Sequence, residues 1–439
     1  MWDIEPEFQE KLNWMKRFIA EEVEALDVLF PSISVVYNPR HEVSRRILKP
    51  LQSKVREQGL WACHLGPELG GKGYGQFKLG LMNEVIGRSI WAPTVFGTAA
   101  PDTGNAEILA MFGTAEQKAT YLKPLLDGDI VSCFSMTEPQ AGADPREFLT
   151  RAARDGDSWV INGKKWFSSN ARYAAFVLVL AVTDPDAPIQ QRMSMFIVPR
   201  ENPGLKTIRD SEHMLERAEQ DEATEGYLHY DNVRVPLDHM LGGEGMGFAV
   251  AQARLGGGRV HHAMRTVGQC QRALDMMCER ALSRRTQGTL LSEKQAVQTM
   301  LADSHIELEQ FRLLVLQTAA IIDRSHGNPR AARKHIAMVK VAMAKVYHDI
   351  VQRALHLHGA LGTTLETPLA YMWMNVPTMA IADGPTEVHR FTVAKELLRG
   401  YKPTEGLFPS EHLPPKILAA RQRYSHILDN AEPKAVGRA

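Results

Sequence analysis

Three long stretches of helical periodicity in the second half of the chain constrain its fold more than any other feature. After the sequence LGGEGMGF, apolar residues recur at helical spacing over residues 249–283, 293–326 and 330–358. Helices of this length bury an apolar face most readily against one another. The sequence therefore predicts a helical bundle, followed by a shorter helix near residues 387–400.

The region before this bundle has the texture of a β domain. Short apolar runs such as SWVING, AAFVLVLAVTD and RMSMFIVP, separated by Gly, Pro, Asp and Asn, occupy about residues 131–240. Helical spacing from Phe8 to Leu29 and beyond fills the first 130 residues. We therefore expect an α+β protein with a helical domain at 1–130, a β domain at 131–240, a helical bundle at 241–400 and a C-terminal arm at 401–439.

Two local expectations follow from turn chemistry. The Met- and Pro-rich run that precedes residue 381 is expected to be irregular. If residues 161–170 have a purely structural role, the Asn162-Gly163 dipeptide is expected to form the turn of a β-hairpin, because this pair favours two-residue hairpin loops.

Charge and cysteine usage exclude several classes of function. Lys+Arg and Asp+Glu number 51 each, so zero net charge argues against binding to nucleic acid or to an anionic membrane. The four cysteines show no metal-ligand spacing, no apolar run is long enough to span a membrane, and the acidic, amphipathic N-terminal sequence lacks the apolar core of a secretion signal. We expect a soluble, cytoplasmic protein without a metal ion.

The most specific sequence is FSMTEPQAGADP, residues 134–145. Taken alone, it predicts a strand that enters a turn. Its residue order resembles the flavin-binding segment of the acyl-CoA dehydrogenases, and the resemblance covers about residues 5–400. It implies FAD as cofactor, with Thr137, Phe134 and Met136 forming hydrogen bonds to the flavin ring. Ala143 replaces a serine that helps to hold the flavin pyrophosphate in this family. It also implies a helical N-terminal domain, a central β-barrel or sandwich and a C-terminal four-helix bundle.

Three further segments resemble cofactor-binding elements of this family. In INGKKWFSSN, residues 161–170, the resemblance places Phe167 and Ser169 against the flavin; the alternative is a hairpin with a core Phe and a solvated Ser. In SRRTQGTLLSEKQAVQ, residues 283–298, it implies contacts with the flavin of a neighbouring subunit, and hence a homodimer or homotetramer; the alternative is a solvated helix face. In ALHLHGALG, residues 354–362, two substitutions depart from the family pattern. The residues implied by the last two segments are Arg284, Thr286, Gln295, His356, Gly359 and Ala360.

The basic sequence RLGGGRVHHAMRTVG, residues 254–268, resembles the helix start that lies near the acyl-CoA thioester in this family. Arg259 takes the position of the family arginine, and His262 and Arg265 add potential phosphate contacts within two helical turns. The alternative is a solvated basic helix start.

The stretch IADGPTEVHR, residues 381–390, carries an acid on a turn, which is a common surface feature. The resemblance makes Asp383 the catalytic base, at a position usually occupied by Glu, with Gly384 beside the substrate and Thr386 and Glu387 near the flavin. Some members carry the base just before the arginine equated with Arg259, but that residue is Gly258 here. Because Asp is one methylene shorter than Glu, we expect an acyl pocket of unusual shape.

The resemblance therefore implies FAD-dependent α,β-desaturation of an acyl-CoA, with electrons passed to an electron-transferring flavoprotein. It is strongest to the branch of mammalian members ten and eleven, without the kinase-like domain of that branch, and suggests long-chain, branched, 4-hydroxy or 4-phospho acyl-CoA substrates. The alternatives are a flavin-dependent oxidase or monooxygenase on the same fold, and a non-catalytic relative that binds nucleic acid through a basic C-terminal surface.

Overall fold

The structure is a computed structural model that describes residues 4–30, 38, 41–67, 71–212, 214, 224–325, 331–406 and 408–431. The chain packs as two compact bodies, one up to Val393 and the other from Ala394 onward. Within the described residues, no helix combines the length and apolar character needed to cross a bilayer.

The first part of the chain is helical, as the sequence predicts. Apolar residues at helical spacing bury one face of the opening helix, which continues through a π-helical turn at Ile19–Val23. The helices are α1 (Pro6–Phe18), α2 (Glu24–Leu29), α3 (Lys49–Glu57), α4 (Gly75–Ile86), α5 (Ala92–Val95), α6 (Asp102–Phe112), α7 (Ala115–Gln117) and α8 (Lys123–Leu126). Further π-helical turns lie at Ser44–Leu48 and Lys118–Leu122.

The middle part forms one eight-stranded sheet in the order β6-β7-β3-β2-β4-β5-β8, with β1 paired in parallel to β4. Every residue of β4 is buried, which explains its continuous apolar sequence. The strands are β1 (Ser132–Ser135), β2 (Arg151–Asp155), β3 (Ser158–Ser168), β4 (Phe176–Val182), β5 (Met193–Pro199), β6 (Leu205–Ser211), β7 (Glu225–Pro236) and β8 (Met240–Leu241).

The last part contains the long helices. Four of them pack together around a shared apolar core, in agreement with the expected four-helix bundle: α9 (Gly247–Ser283), α10 (Gln295–Arg324), α11 (Arg333–His358) and α12 (Leu369–Ile381). A short hairpin of β9 (Arg285–Thr286) and β10 (Thr289–Leu290) joins the first two, and α13 (Thr386–Leu398), α14 (Leu413–Arg423) and α15 (Ser425–Ala431) follow. The expected order of helices, sheet and helices is confirmed, whereas the domain boundaries remain predictions.

One apolar cluster connects all three parts and supports the candidate site. It combines Ile108 and Leu109 of α6, Leu178 and Leu180 of β4, and Val250 at the start of α9 with further residues of the sheet. Because these side chains are buried together, the start of α9 has a fixed position relative to both the sheet and α6.

Two local expectations from the sequence are wrong. The Met- and Pro-rich run is the helix α12, since Leu369, Met372 and Val376 bury one helical face and this burial outweighs the helix-breaking tendency of Pro377. Asn162 and Gly163 form no hairpin turn but lie inside β3, where the pairing with β7 shifts register between Ile161 and Gly163 as in a bulge.

The long helix α9 crosses α4 at very short range. A Cβ atom on Gly268 would overlap the carbonyl oxygen of Glu84, and a Cβ atom on Gly87 would overlap the carbonyl oxygen of Arg265. The backbones of the N-terminal helices and of the bundle are therefore in direct contact at these glycines.

This contact makes opposite predictions for two glycines of α9. We expect Gly268→Ala to destabilise the protein by about 1–3 kcal/mol through overpacking. Gly256 has no atom within 4 Å of its Cβ position, so Gly256→Ala should be neutral or stabilising by up to about 1 kcal/mol. Thermal unfolding of the two variants measures the difference, and equal shifts would show that the crossing is not tightly packed.

Candidate active site

Asp383 lies in the turn between α12 and α13, with its backbone in the left-handed region. Its φ is 57° and that of Gly384 is 107°, a conformation that Asp tolerates and that Gly adopts freely. Arg259 donates from Nε to the Asp383 carbonyl oxygen at 2.8 Å, and His389 Nε2 lies 3.4 Å from the same oxygen. The turn that carries the acid is therefore held by side chains from α9 and α13.

A second buried cation, Lys340 of α11, secures the preceding helix end. Its ammonium group donates to the carbonyl oxygen of Met379 in the last turn of α12. Burial lowers the pKa of Lys340 to about 8, although the nearby Asp383 carboxylate acts in the opposite direction. Lys340 was not predicted from the sequence; a lysine among apolar residues in IAMVKVAM was the available signal.

The Asp383 carboxylate points toward α9 and is only 14% exposed. Its Oδ1 lies 3.9 Å from Arg254 Nη1, and its Oδ2 lies 3.8 Å from His262 Nε2. Because burial and the Arg265 guanidinium lower the pKa of His262 to about 4, this imidazole is neutral at pH 7. Of these two side chains, Arg254 is therefore the charged one, and Arg259 and Lys340 add positive charge to the surroundings of Asp383.

Gly258 leaves the space that this carboxylate occupies. A Cβ atom at position 258 would lie 2.8 Å from Asp383 Oδ2. The carboxylate on the α12–α13 turn and the side-chain direction of position 258 therefore converge on the same point of the site.

Arg254 joins this acid to the first segment that was predicted to bind flavin. The residue is 9% exposed, and the guanidinium carbon lies 3.9 Å from the centroid of the Phe134 ring. Arg254 Nε donates to Asn105 Oδ1 at 2.8 Å, and Asn105 donates in turn to the Ser132 hydroxyl. The sequence analysis missed Arg254, although an arginine five residues before Arg259 in a largely apolar helix start was visible.

The structure brings the two predicted flavin segments of the sheet together. Phe134 and Ser169 form a β-bridge, and the backbone N–H of Trp166 donates to the Thr137 carbonyl oxygen at 2.9 Å. Phe167 has a φ of 52°, and its ring stacks on Trp166 at 4.8 Å while the residue remains 53% exposed.

A fully buried ion pair fixes the backbone of the first segment. Lys165 Nζ lies 2.8 Å from Glu138 Oε1 and donates to the Met136 carbonyl oxygen at 2.7 Å. Burial opposes ionisation of Glu138, but Lys165 and the backbone N–H groups of Leu149 and Thr150 outweigh it and lower the pKa of Glu138. Loss of either partner would leave a buried charge unpaired, so the pair locks the strand edge at Met136.

These residues fit a flavin ring. Phe167 presents an exposed aromatic face, and the Thr137 hydroxyl makes no hydrogen bond within the described part of the chain. The Ser169 hydroxyl donates to Glu225 at 3.1 Å and retains acceptor capacity, whereas the exposed Ala143 offers only backbone groups.

The other predicted residues lie elsewhere on the surface. Arg284 and Thr286 are exposed at the β9–β10 hairpin and Gln295 begins α10; His356, Gly359 and Ala360 are exposed at the end of α11. Across the described ranges, no hydrogen bond or ion pair joins these six residues to Thr137 or Asp383. At the start of α13, the Thr386 hydroxyl donates to the exposed Glu387 carboxylate. On α9, Arg265 donates to the Thr98 carbonyl oxygen at 3.2 Å.

Glu107 of α6 is a second acid beside α9 that the sequence analysis missed. Its Oε2 would lie 2.6 Å from a Cβ atom on Gly257. Burial raises the pKa of Glu107 to about 8, with Arg254 acting in the opposite direction. Glu107 is therefore mostly protonated at pH 7.

Within the described residues, no three His, Cys, Asp or Glu side chains form a group suited to a metal ion.

Comparison with known proteins gives a consistent result. Residues 13–129, 133–233 and 245–398 match the N-terminal, middle and C-terminal domain models of acyl-CoA dehydrogenases. The chain is 40% identical to "Probable acyl-CoA dehydrogenase FadE2" of Mycobacterium tuberculosis, over 88% of this chain and 94% of that protein. It is 38% identical to "Acyl-CoA dehydrogenase family member 11" of Gallus gallus, over 89% of this chain and 50% of that protein. The solved structure of butyryl-CoA dehydrogenase from Megasphaera elsdenii shares the fold, with a TM-score of 0.77 and 24% identity over 91% of this chain and all of that one.

The raised pKa of Glu107 predicts a dependence of stability on pH. Folding raises this pKa from 4.5 to about 8, so the folded protein keeps a proton that the unfolded chain releases in this range. The corresponding stabilisation is fully present below about pH 4.5 and is lost as the pH rises to about 8. Denaturant unfolding of wild type and Glu107→Gln between pH 5 and 9 should show the wild type losing stability relative to the variant up to about pH 8. A constant difference would contradict a buried, protonated Glu107.

Proposed function

The chain belongs to the acyl-CoA dehydrogenase family of flavin-dependent oxidoreductases, whose cofactor is FAD, and from this premise we propose that it desaturates an acyl-CoA thioester with Asp383 as the base. One observation carries the proposal. The Asp383 carboxylate is largely buried, faces Arg254 and occupies the space above Gly258.

Bound FAD would supply the acceptor for the hydride that leaves the β-carbon. Thr137, the backbone of Phe134–Met136, Phe167 and Ser169 would hold its ring, because they lie together at one edge of the sheet. With a serine replaced by Ala143, the pyrophosphate would depend on other donors.

The protein groups at Asp383 suit removal of an α-proton. The carboxylate has Arg254 as a charged neighbour and the neutral His262 beside it, so it is available to accept a proton. The Asp383 N–H makes no hydrogen bond to a described residue and can donate to the thioester carbonyl oxygen. Such a donor stabilises the negative charge that develops on that oxygen as the proton leaves.

The basic side chains of α9 would bind the CoA part of the substrate. Arg259 lies beside the Asp383 turn, whereas Arg265 and His262 contact each other one turn farther along. We propose a long-chain, branched, 4-hydroxy or 4-phospho acyl group, in line with the family branch and with the unusual Asp base.

The exposed residues at the β9–β10 hairpin support a role between subunits. Arg284, Thr286 and Gln295 would reach the flavin of a second copy in a homodimer or homotetramer, where the guanidinium can bind two pyrophosphate oxygens. An electron-transferring flavoprotein would accept the electrons.

The first test removes the charge of the base. Asp383→Asn in the FAD-loaded enzyme should slow anaerobic bleaching of the flavin by a panel of acyl-CoAs by about 10²–10⁴-fold. Asp303→Asn, which alters an exposed carboxylate on α10, is the matched control and should bleach as fast as wild type.

Bleaching of Asp383→Asn at the wild-type rate would remove Asp383 from the role of base. Rapid peroxide formation in air without an added electron acceptor would instead identify an oxidase.

A second test moves the base. Asp383→Ala should be nearly inactive, and adding Gly258→Asp should restore bleaching by at least about tenfold, because the new carboxylate lies near the former Asp383 Oδ2. The control pair, Asp383→Ala with Gly256→Asp, places an acid on a different side of the helix and should stay inactive. Equal bleaching rates in the two double variants would show that a carboxylate at position 258 does not take the place of the Asp383 carboxylate.

A further inference from the structure

The residues Gly256–Gly258, inside α9, carry no side chains, and an acid lies above two of the three. Asp383 Oδ2 lies 2.8 Å from the Cβ position of Gly258, and Glu107 Oε2 lies 2.6 Å from the Cβ position of Gly257. The Cβ position of Gly256 has no atom within 4 Å. Because adjacent Cα atoms are 3.8 Å apart, the two carboxyl groups are within about 12 Å of each other.

Arg254 lies on the same helical face, three residues before Gly257 and four before Gly258, the two glycines that the acids face. Its charge interacts with both Asp383 and Glu107. Asn105 and Phe134 enclose the other sides of the guanidinium. Thus Glu107, Arg254 and Asp383 are arranged around one partly buried stretch of helix backbone that carries no side chains.

The Glu107 carboxyl has no hydrogen-bond partner in the described ranges of the chain, yet it is only partly exposed. A partly exposed carboxyl of this kind is completed either by water or by a ligand that displaces the water and takes over its hydrogen bond. Since Asp383 would remove a proton next to the thioester, a second group along the same helix face would contact the acyl chain beyond its reacting carbons.

We infer that Glu107 is a specificity-determining residue that donates a hydrogen bond to an oxygen atom on the acyl chain of the substrate. This inference rests on the proposed function, since it takes the reacting carbons to lie at Asp383. Glu107 is the donor because it is protonated at neutral pH, with its pKa raised to about 8 by burial.

A plain hydrocarbon chain would cover the Glu107 carboxyl and leave it unpaired. An acyl chain that bears a hydroxyl group would accept from the Glu107 carboxyl, which itself occupies the space above Gly257. Sites with a buried hydrogen-bonding group discriminate strongly against ligands that lack the partner.

The experiment compares matched acyl-CoAs of equal length, one plain and one with a hydroxyl group, with the hydroxyl placed in turn on each carbon from the fourth onward. Anaerobic flavin reduction gives the preference for the hydroxylated chain as a ratio of kcat/KM values. Dissociation constants of the corresponding 2-enoyl-CoA products, measured by calorimetry, give the same preference without turnover.

At one hydroxyl position, wild type should prefer the hydroxylated chain, and Glu107→Leu should reduce that preference by about 10- to 100-fold in both measurements. Glu107→Gln keeps a donor of similar shape and should retain most of it. Glu116→Leu, at an exposed carboxylate of α7, is the control and should behave as wild type.

Two outcomes would overturn the inference: a wild type that prefers plain chains at every position, or an unchanged preference in Glu107→Leu. Either result would leave the proposed function intact, provided that some acyl-CoA reduces the flavin. Absence of flavin reduction by every acyl-CoA would contradict the proposed function itself.

Discussion

The buried guanidinium of Arg254 is the interaction on which the arrangement of the site depends. Burial of such a charge is unfavourable unless it finds partners, and its partners come from three separate parts of the chain. Asn105 belongs to α6, Phe134 to β1, and Asp383 to the turn after α12. Packing of the N-terminal helices, the sheet and the bundle is therefore coupled to the position of one carboxylate.

The consecutive glycines of α9 lower the stability of the helix but make room for groups of the site. Three consecutive glycines are unfavourable in a helix interior by about 1 kcal/mol each relative to alanine. Here the missing side chains leave room for the carboxyl groups of Asp383 and Glu107 against the helix backbone. The Asp383 carboxylate lies directly against the helix backbone at Gly258. The absence of a side chain at position 258 and the presence of an acid at position 383 therefore depend on each other.

Much of the fold followed from periodicity. The helices predicted at 249–283, 293–326 and 330–358 are Gly247–Ser283, Gln295–Arg324 and Arg333–His358, because long amphipathic patterns leave little ambiguity. The prediction of an irregular run around Pro377 was wrong, because burial of one helical face outweighed the helix-breaking tendency of the proline. Asp383, Phe134, Thr137 and Phe167 could be proposed from motifs, since each lies in a contiguous pattern. Arg254, Lys340, Lys165 and Glu107 could not, because their partners are remote in sequence and only folding reveals that they are buried and paired.

Removal of the α-proton by Asp383 can be measured apart from hydride transfer. An acyl-CoA whose β-carbon is quaternary, bonded to three carbons besides the α-carbon, has no β-hydrogen, so it can exchange its α-protons but cannot reduce the flavin. The FAD-loaded enzyme is incubated with this compound in deuterium oxide, and mass spectrometry follows deuterium at the α-carbon. The account predicts steady incorporation with wild type and a loss of about 10²-fold or more with Asp383→Asn. Equal incorporation with the two proteins would contradict it.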